Sequence, residues 1–105
     1  MKLICYSVIS VAMFGAPVLA ADAAAGKAVY EKSCKMCHGA DGQGNPGMAK
    51  MLKITFRALG SKEVQAQSDA DLKKTVTQGA GKMKPVAGLN DKQVADLIAH
   101  IRTMK

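Results

Sequence analysis

The chain has 105 residues, with 15 Lys plus Arg against 8 Asp plus Glu and 49% hydrophobic residues. That length is too short for more than one ordinary domain, which excludes two-domain enzymes. No window approaches the roughly 18 to 20 uninterrupted apolar residues of a membrane span, and no like-charge block or repeat suggests a tail or fibre. The expectation is one small soluble domain.

Residues 1–20 read as an export signal. Lys2 is the charged start, residues 3–14 are mostly apolar, and Gly15, Ala16 and Pro17 break the run. Val18-Leu19-Ala20 presents an acceptable Val and a small Ala at the two positions that a signal peptidase reads, so cleavage after Ala20 leaves residues 21–105, with cleavage after Ala21 the near alternative. A retained membrane anchor fits less well, because the apolar stretch is short and ends in a processing site. Cys5 leaves with the signal, too early for a lipid-attachment site. The mature domain is then a basic, periplasmic chain of 85 residues with a formal charge of +6. Its large aliphatic residues and Phe56 make up 14 of those 85, about 16%. A chain with sizeable net charge and so few core formers is expected to need help from a disulfide, metal or cofactor.

The mature domain opens with a segment that predicts a helix over residues 23–36, with Asp22 as its cap and Val29 and Tyr30 on the side near the cysteines. It closes on Cys34-Lys35-Met36-Cys37-His38, a C-x-x-C-H run. On a helix, positions i and i+3 share a face, so Cys34 and Cys37 can form thioethers with the two vinyl groups of one haem. His38 can then turn its imidazole onto the iron. Two other readings exist for a lone C-x-x-C. A redox disulfide of thioredoxin type needs a βαβ context that this Ala-, Lys- and Gly-rich chain does not show. Zinc needs a fourth ligand, for which only His100 or a carboxylate remains.

Residues 39–47 hold four glycines and Asn45-Pro46, which is loop chemistry. Short helices are expected over residues 48–52 and 61–67. Ser68-Asp69-Ala70-Asp71 starts another helix, with Leu72 and Val76 as its apolar stripe and Gly79 at its end. Asn90 caps the last helix with Gln93 at the capping-box position, and Val94, Leu97, Ile98 and Ile101 recur at helical spacing as ordinary core. The fold class expected is all-α, three to four helices wrapped around one covalent haem, without a convincing strand.

A haem also needs a distal side. Met36 lies between the cysteines and cannot reach the far face, and Met104 is expected at a fraying terminus. Met83 sits in Gly79-Ala80-Gly81-Lys82-Met83-Lys84-Pro85, where glycines let the backbone approach a ligand and Pro85 keeps Lys84 out of the helical region. Met83 is therefore the expected distal ligand, while Met48 and Met51 pack near the haem edge or lie on the surface.

These features together resemble the class I monohaem cytochromes c of the small bacterial periplasmic type, over essentially residues 22–105. The resemblance rests on Cys34-Lys35-Met36-Cys37-His38-Gly39, Gly42-Gln43-Gly44, the segment of residues 79–85 and the final helix ending Ile101-Arg102. It implies haem c on Cys34 and Cys37, His38 as proximal and Met83 as distal ligand, and Pro46 as the best-placed proline carbonyl for the far nitrogen of His38. It further implies that the first and last helices cross at Gly26, with Tyr30 packed there and His100 standing where the family usually has Tyr or Trp.

Histidine plus methionine ligation favours reduced iron and leaves no open site for substrate, which points to a one-electron carrier rather than an enzyme. The rival, a peroxidase-like or gas-binding haem protein, lacks a second histidine for distal acid–base work and any Asp or Glu in the residue 79–85 loop. The partners expected are redox proteins with an acidic surface, met by Lys35, Lys82 and Lys84 beside the haem. No specific nucleic-acid partner is expected, no membrane span after cleavage, and a monomer.

Overall fold

Two helices that approach within backbone distance set the architecture. The computed structural model describes residues 21–105; the export-signal reading of residues 1–20 lies outside the described residues. The first helix, α1 (Ala23–Ser33), crosses the last, α6 (Asp91–Ile101), and this is the most extensive helix pair. The crossing works because of Gly26. A Cβ built there would lie 1.8 Å from the carbonyl oxygen of Asp96, so only a hydrogen fits between the two backbones. Next to it Tyr30 is 1% exposed, its ring 5.2 Å from that of His100 and tilted by 59°. The expected Gly26, Tyr30 and His100 crossing is thus present.

The remaining elements are α2 (Lys35–His38), α3 (Pro46–Leu52), α4 (Lys62–Gln65) and α5 (Asp69–Gln78), giving six helical segments among the described residues. Three of them, α1, α5 and α6, have ten or more residues, and α5 packs on α6 while α3 packs on α2. Strands are absent from the described residues, and Ala80 and Met83 form an isolated antiparallel bridge. Caps mark the starts. Asp22 accepts from the N–H groups of Ala24 and Ala25, Ser61 from Val64 and Ser68 from Asp71. Asn90 and Gln93 complete the capping box of α6 at 2.8 and 2.9 Å, as the sequence predicts.

Core residues fall into two clusters. Tyr30, Cys34, Val76, Leu97 and Ile101 form one, and Val64, Leu72, Val94 and Ile98 the other, so the helical stripe of α6 feeds both. Met104, expected to fray, instead packs half-buried against the first cluster, because the turn after α6 brings it over Gly42 and Leu59. Arg102 closes the polar side. Its guanidinium donates to Asp69 Oδ1 at 2.8 and 3.1 Å, to the Gln65 carbonyl at 2.9 Å and to the Gln67 carbonyl at 2.6 Å, fixing the α4–α5 connection to the end of α6.

Asp96 is a buried carboxylate at the helix crossing, 3% exposed. Its oxygens accept from the Asp22 N–H and from the Lys92 ammonium, each at 2.8 Å. The Asp22 N–H chiefly, with Lys92, holds this carboxyl below the usual carboxylate range. Its contribution to stability is therefore present above the ordinary Asp pKa and is lost as pH falls through the depressed folded value.

Gly26→Ala tests the crossing. Alanine gains up to about 1 kcal/mol of helix propensity, yet its methyl cannot share space with the Asp96 backbone. The expected net loss is about 2 kcal/mol or more, read as a fall in the denaturant midpoint followed by circular dichroism. An unchanged or raised midpoint would show that the helices separate without cost.

Candidate functional site

The cysteine–histidine run stands on a break in the helix. The sequence predicts one helix to Met36, whereas α1 stops at Ser33 and Cys34 takes φ −121°, ψ −31° before α2 begins. The break turns Cys34 inward, where it joins Tyr30, Val76, Leu97 and Ile101 in the core at 9% exposure. The chain is still tied across the break: the Cys34 N–H donates to Tyr30, and the His38 N–H donates to the Cys34 carbonyl at 3.0 Å. Cys34, Cys37 and His38 thus share a single tight turn.

That turn is held by its carbonyls. Lys35 accepts from the Gly39 N–H at 2.9 Å, Met36 from the Asn45 side-chain amide at 3.2 Å, Cys37 from the Asn45 N–H at 2.8 Å, and His38 from the Gly44 N–H at 2.7 Å. The Gly39 carbonyl accepts from the Tyr30 hydroxyl at 2.5 Å. The loop over residues 39–45 therefore returns beneath α2 and satisfies the carbonyls that so short a helix leaves open. Asn45 also caps α3, its side-chain oxygen accepting from Gly47 and Met48 at 2.9 and 3.3 Å. The glycine-rich composition of residues 39–47 predicts loop through Asn45-Pro46, whereas α3 begins at Pro46. The signal was there, since Asn followed by Pro at the first helical position is a helix start.

Phe56 is the other residue missed. Its ring meets the His38 imidazole edge-on, with centroids 5.5 Å apart and planes at 62°. It can do so because Gly44 has φ +96° and no side chain; a Cβ there would lie 2.5 Å from the Phe56 Cβ. Met48, Leu52, Ile54, Phe56 and Met83 are all only half-buried and belong to neither core cluster. Ile54 and Phe56 line a cavity together with Gly44, Pro46 and Ala49.

Burial governs the local electrostatics. It pushes the Cys34 thiol up to about 11, with the neighbouring Cys37 adding to the shift. A thiol disulfide exchanger needs the opposite, a lowered value. The cysteines are not joined in a disulfide, and among the described residues no three His, Cys, Asp or Glu side chains gather as zinc would require. Burial also lowers the His38 pKa, which favours the neutral imidazole that binds metal. His38 Nδ1 is buried without a hydrogen-bond partner, so the expected support from the Pro46 carbonyl is not made. As the first residue of α3, Pro46 turns its carbonyl into that helix. The Tyr30 hydroxyl is pushed up to about 12, first by burial and then by Cys34 and Asp41.

Met83 is half-buried in the loop that follows α5, and among the described residues no hydrogen bond or ring contact joins it to α2. Met36 and Met51 point to solvent, 76% and 73% exposed, and His100 is taken up by Tyr30. Two thiols on one turn, an imidazole beside them that burial keeps neutral and an apolar ring packed on it fit a covalently attached haem better than a disulfide or zinc.

Known proteins agree with that fit. The sequence profile described as Cytochrome c matches residues 23–105. Cytochrome c-554(547) of Halothiobacillus neapolitanus is 37% identical over 91 residues, which covers 82% of this chain and all of that protein. Cytochrome c6 of a Picosynechococcus strain is 37% identical over 93 residues, covering 84% of this chain and 78% of that one. Among solved structures, the KustC0563 c-type cytochrome superposes with a TM-score of 0.65 at 29% identity, over 76% of this chain and 96% of its own. The chain belongs to the cytochrome c family, as a class I monohaem cytochrome with covalently bound haem c and the role of an electron carrier.

Proposed function

We propose that the protein is an exported one-electron carrier and not an enzyme, in which Cys34 and Cys37 attach the haem, His38 is the proximal ligand and Met83 the distal one. The observation that carries this reading is the single turn bearing Cys34, Cys37 and His38, with Phe56 set against the imidazole and Leu52, Ile54 and Met83 half-buried outside both core clusters. When bound, haem supplies reversible one-electron Fe(III)/Fe(II) chemistry.

Each residue has a separable task. The Cys34 and Cys37 thiols would hold the haem covalently, through thioethers to its two vinyl groups. His38 offers a neutral ring held edge-on by Phe56. Met83 offers a soft thioether that favours the reduced state. Phe56, which packs on His38, would help to exclude water from a haem held there and so limit reorganisation as charge moves. Lys35 and Lys84, both exposed, lie beside the proximal cysteines and the distal ligand and would orient that edge toward an acidic redox partner.

The axial assignment is tested by Met83→Ala. That variant should retain its haem, lose the weak far-red iron-to-sulfur band of the oxidised protein, show a lowered potential and gain carbon monoxide binding when reduced. Met48→Ala and Met51→Ala should do none of this. If either of those removed the band while Met83→Ala kept it, the distal ligand would be misassigned; prompt carbon monoxide binding by the unaltered protein would favour a gas-binding haem protein.

Export is tested by mass. The purified protein should begin at Ala21, or at Asp22, and carry the added mass of one haem with no free thiol. An N-terminus within residues 1–20, or a mass without haem, would count against the reading.

Docking is tested by salt. Transfer to the partner should slow by roughly tenfold between low salt and about 0.15 M, where the screening length is about 8 Å. Lys35→Glu and Lys84→Glu should slow it more than Lys105→Glu. Equal effects at the three sites would mean that only net charge counts, and a salt-independent rate would remove electrostatic docking altogether.

A further inference from the structure

The loop that carries Met83 has two attachments of its own kind and one of another. At its base the Gly79 N–H donates to the Thr75 carbonyl and the Val86 N–H to the Val76 carbonyl, each at 2.9 Å, so the loop hangs from α5. Within it, Ala80 and Met83 exchange N–H···O bonds of 3.0 and 2.8 Å, which puts Gly81 and Lys82 at the tip. The third attachment leaves the α5 side of the molecule. The Lys82 ammonium donates to the carbonyl of Leu52, thirty residues earlier at the end of α3.

That carbonyl is available for a definite reason. Lys53 takes the left-handed conformation at φ 54° and ends α3, its N–H bonding to the Ala49 and Lys50 carbonyls, while the Ile54 N–H returns to Ala49 at 3.0 Å. This closure serves the carbonyls of Ala49 and Lys50 and leaves that of Leu52 for a donor from elsewhere. A cation is the favoured donor, because the last carbonyls of a helix carry partial negative charge. Packing makes the bond a bridge: α3 rests on α2, whereas α5, which bears the loop, rests on α6. Among the described residues, no other hydrogen bond joins residues 79–85 to residues 46–56.

We propose that Lys82 is a positioning residue that straps the Met83 loop to the end of α3 and so keeps the distal ligand in place. The inference rests on Met83 being that ligand. Lys84, two residues on and equally exposed, makes no such bond among the described residues and is the natural comparison.

The test uses haem-loaded protein as unaltered chain, Lys82→Ala, Lys82→Arg and Lys84→Ala. Cyanide binding to the oxidised form is followed by stopped flow, since cyanide enters when the loop swings away. In parallel, loss of the far-red band and loss of helical circular dichroism are each followed against guanidinium. Lys82→Ala should bind cyanide about fivefold to tenfold faster and lose the far-red band at lower denaturant while the helical midpoint holds. Lys84→Ala should match the unaltered protein, and Lys82→Arg, which keeps a cationic donor, should stay close to it. Equal effects of the two alanine variants would overturn the strap and leave only lost charge, and an Arg variant as fast as Lys82→Ala would count against the hydrogen bond. An unaltered protein without the far-red band would overturn the axial assignment itself and the strap with it, a different signature from equal alanine variants.

Discussion

A gap one hydrogen atom wide governs this molecule. Because Gly26 has no side chain, α1 can lie directly on the α6 backbone, and the position of everything that follows α1 is inherited from that contact. Tyr30, one turn further on, is thereby driven fully into the core, and from there its hydroxyl reaches the Gly39 carbonyl. The break at Cys34 comes next, and it puts a thiol where an aliphatic side chain would otherwise sit. The chemistry of the cysteines thus hangs from a packing decision made eight residues earlier.

The second level of organisation is hydrogen bonding rather than burial. A four-residue helix has no interior, so α2 survives only because the chain curls back and offers donors to its carbonyls one after another. Asn45 serves two helices at once, and Gly44 makes room for Phe56 against His38. The C-x-x-C-H turn is consequently held by bonds from residues 39–45, while Leu52, Ile54, Phe56 and Met83 stay only half-buried. A buried Nδ1 on His38 without a partner costs on the order of 1 to 3 kcal/mol.

What could be read from the sequence was local. The caps of α5 and α6, the apolar stripe of α6 and the C-x-x-C-H run depend on residues within one or two turns of each other, and each is where its pattern predicts. The Gly26 and Tyr30 crossing was legible through family resemblance, since a mid-helix glycine alone does not say what approaches it. Features that depend on distant partners were not legible. Nothing near Cys34 is a helix breaker; the break follows from its burial among residues up to Ile101. Nothing near Phe56 announces His38, and nothing near Lys82 announces Leu52. The end of α3 is likewise hidden, because a lysine and not a glycine takes the left-handed position. Met104 was misjudged for the same reason, its anchor being Gly42 on the other side of the chain.

The ion pairs have a consequence for the molecule as a whole. Lys73 with Asp91, Lys92 with Asp96 and Arg102 with Asp69 lie along α5 and α6 and cancel one another locally. On α2 and α3 no acidic residue answers Lys35 and Lys50, and Lys53 follows directly. Charge is thus paired along α5 and α6, whereas Lys35, Lys50 and Lys53 make no ion pair among the described residues, with Asp41 the nearby acid in the loop after the C-x-x-C-H turn. A body with such uneven charge would turn as it diffuses toward an oppositely charged surface, before any contact forms.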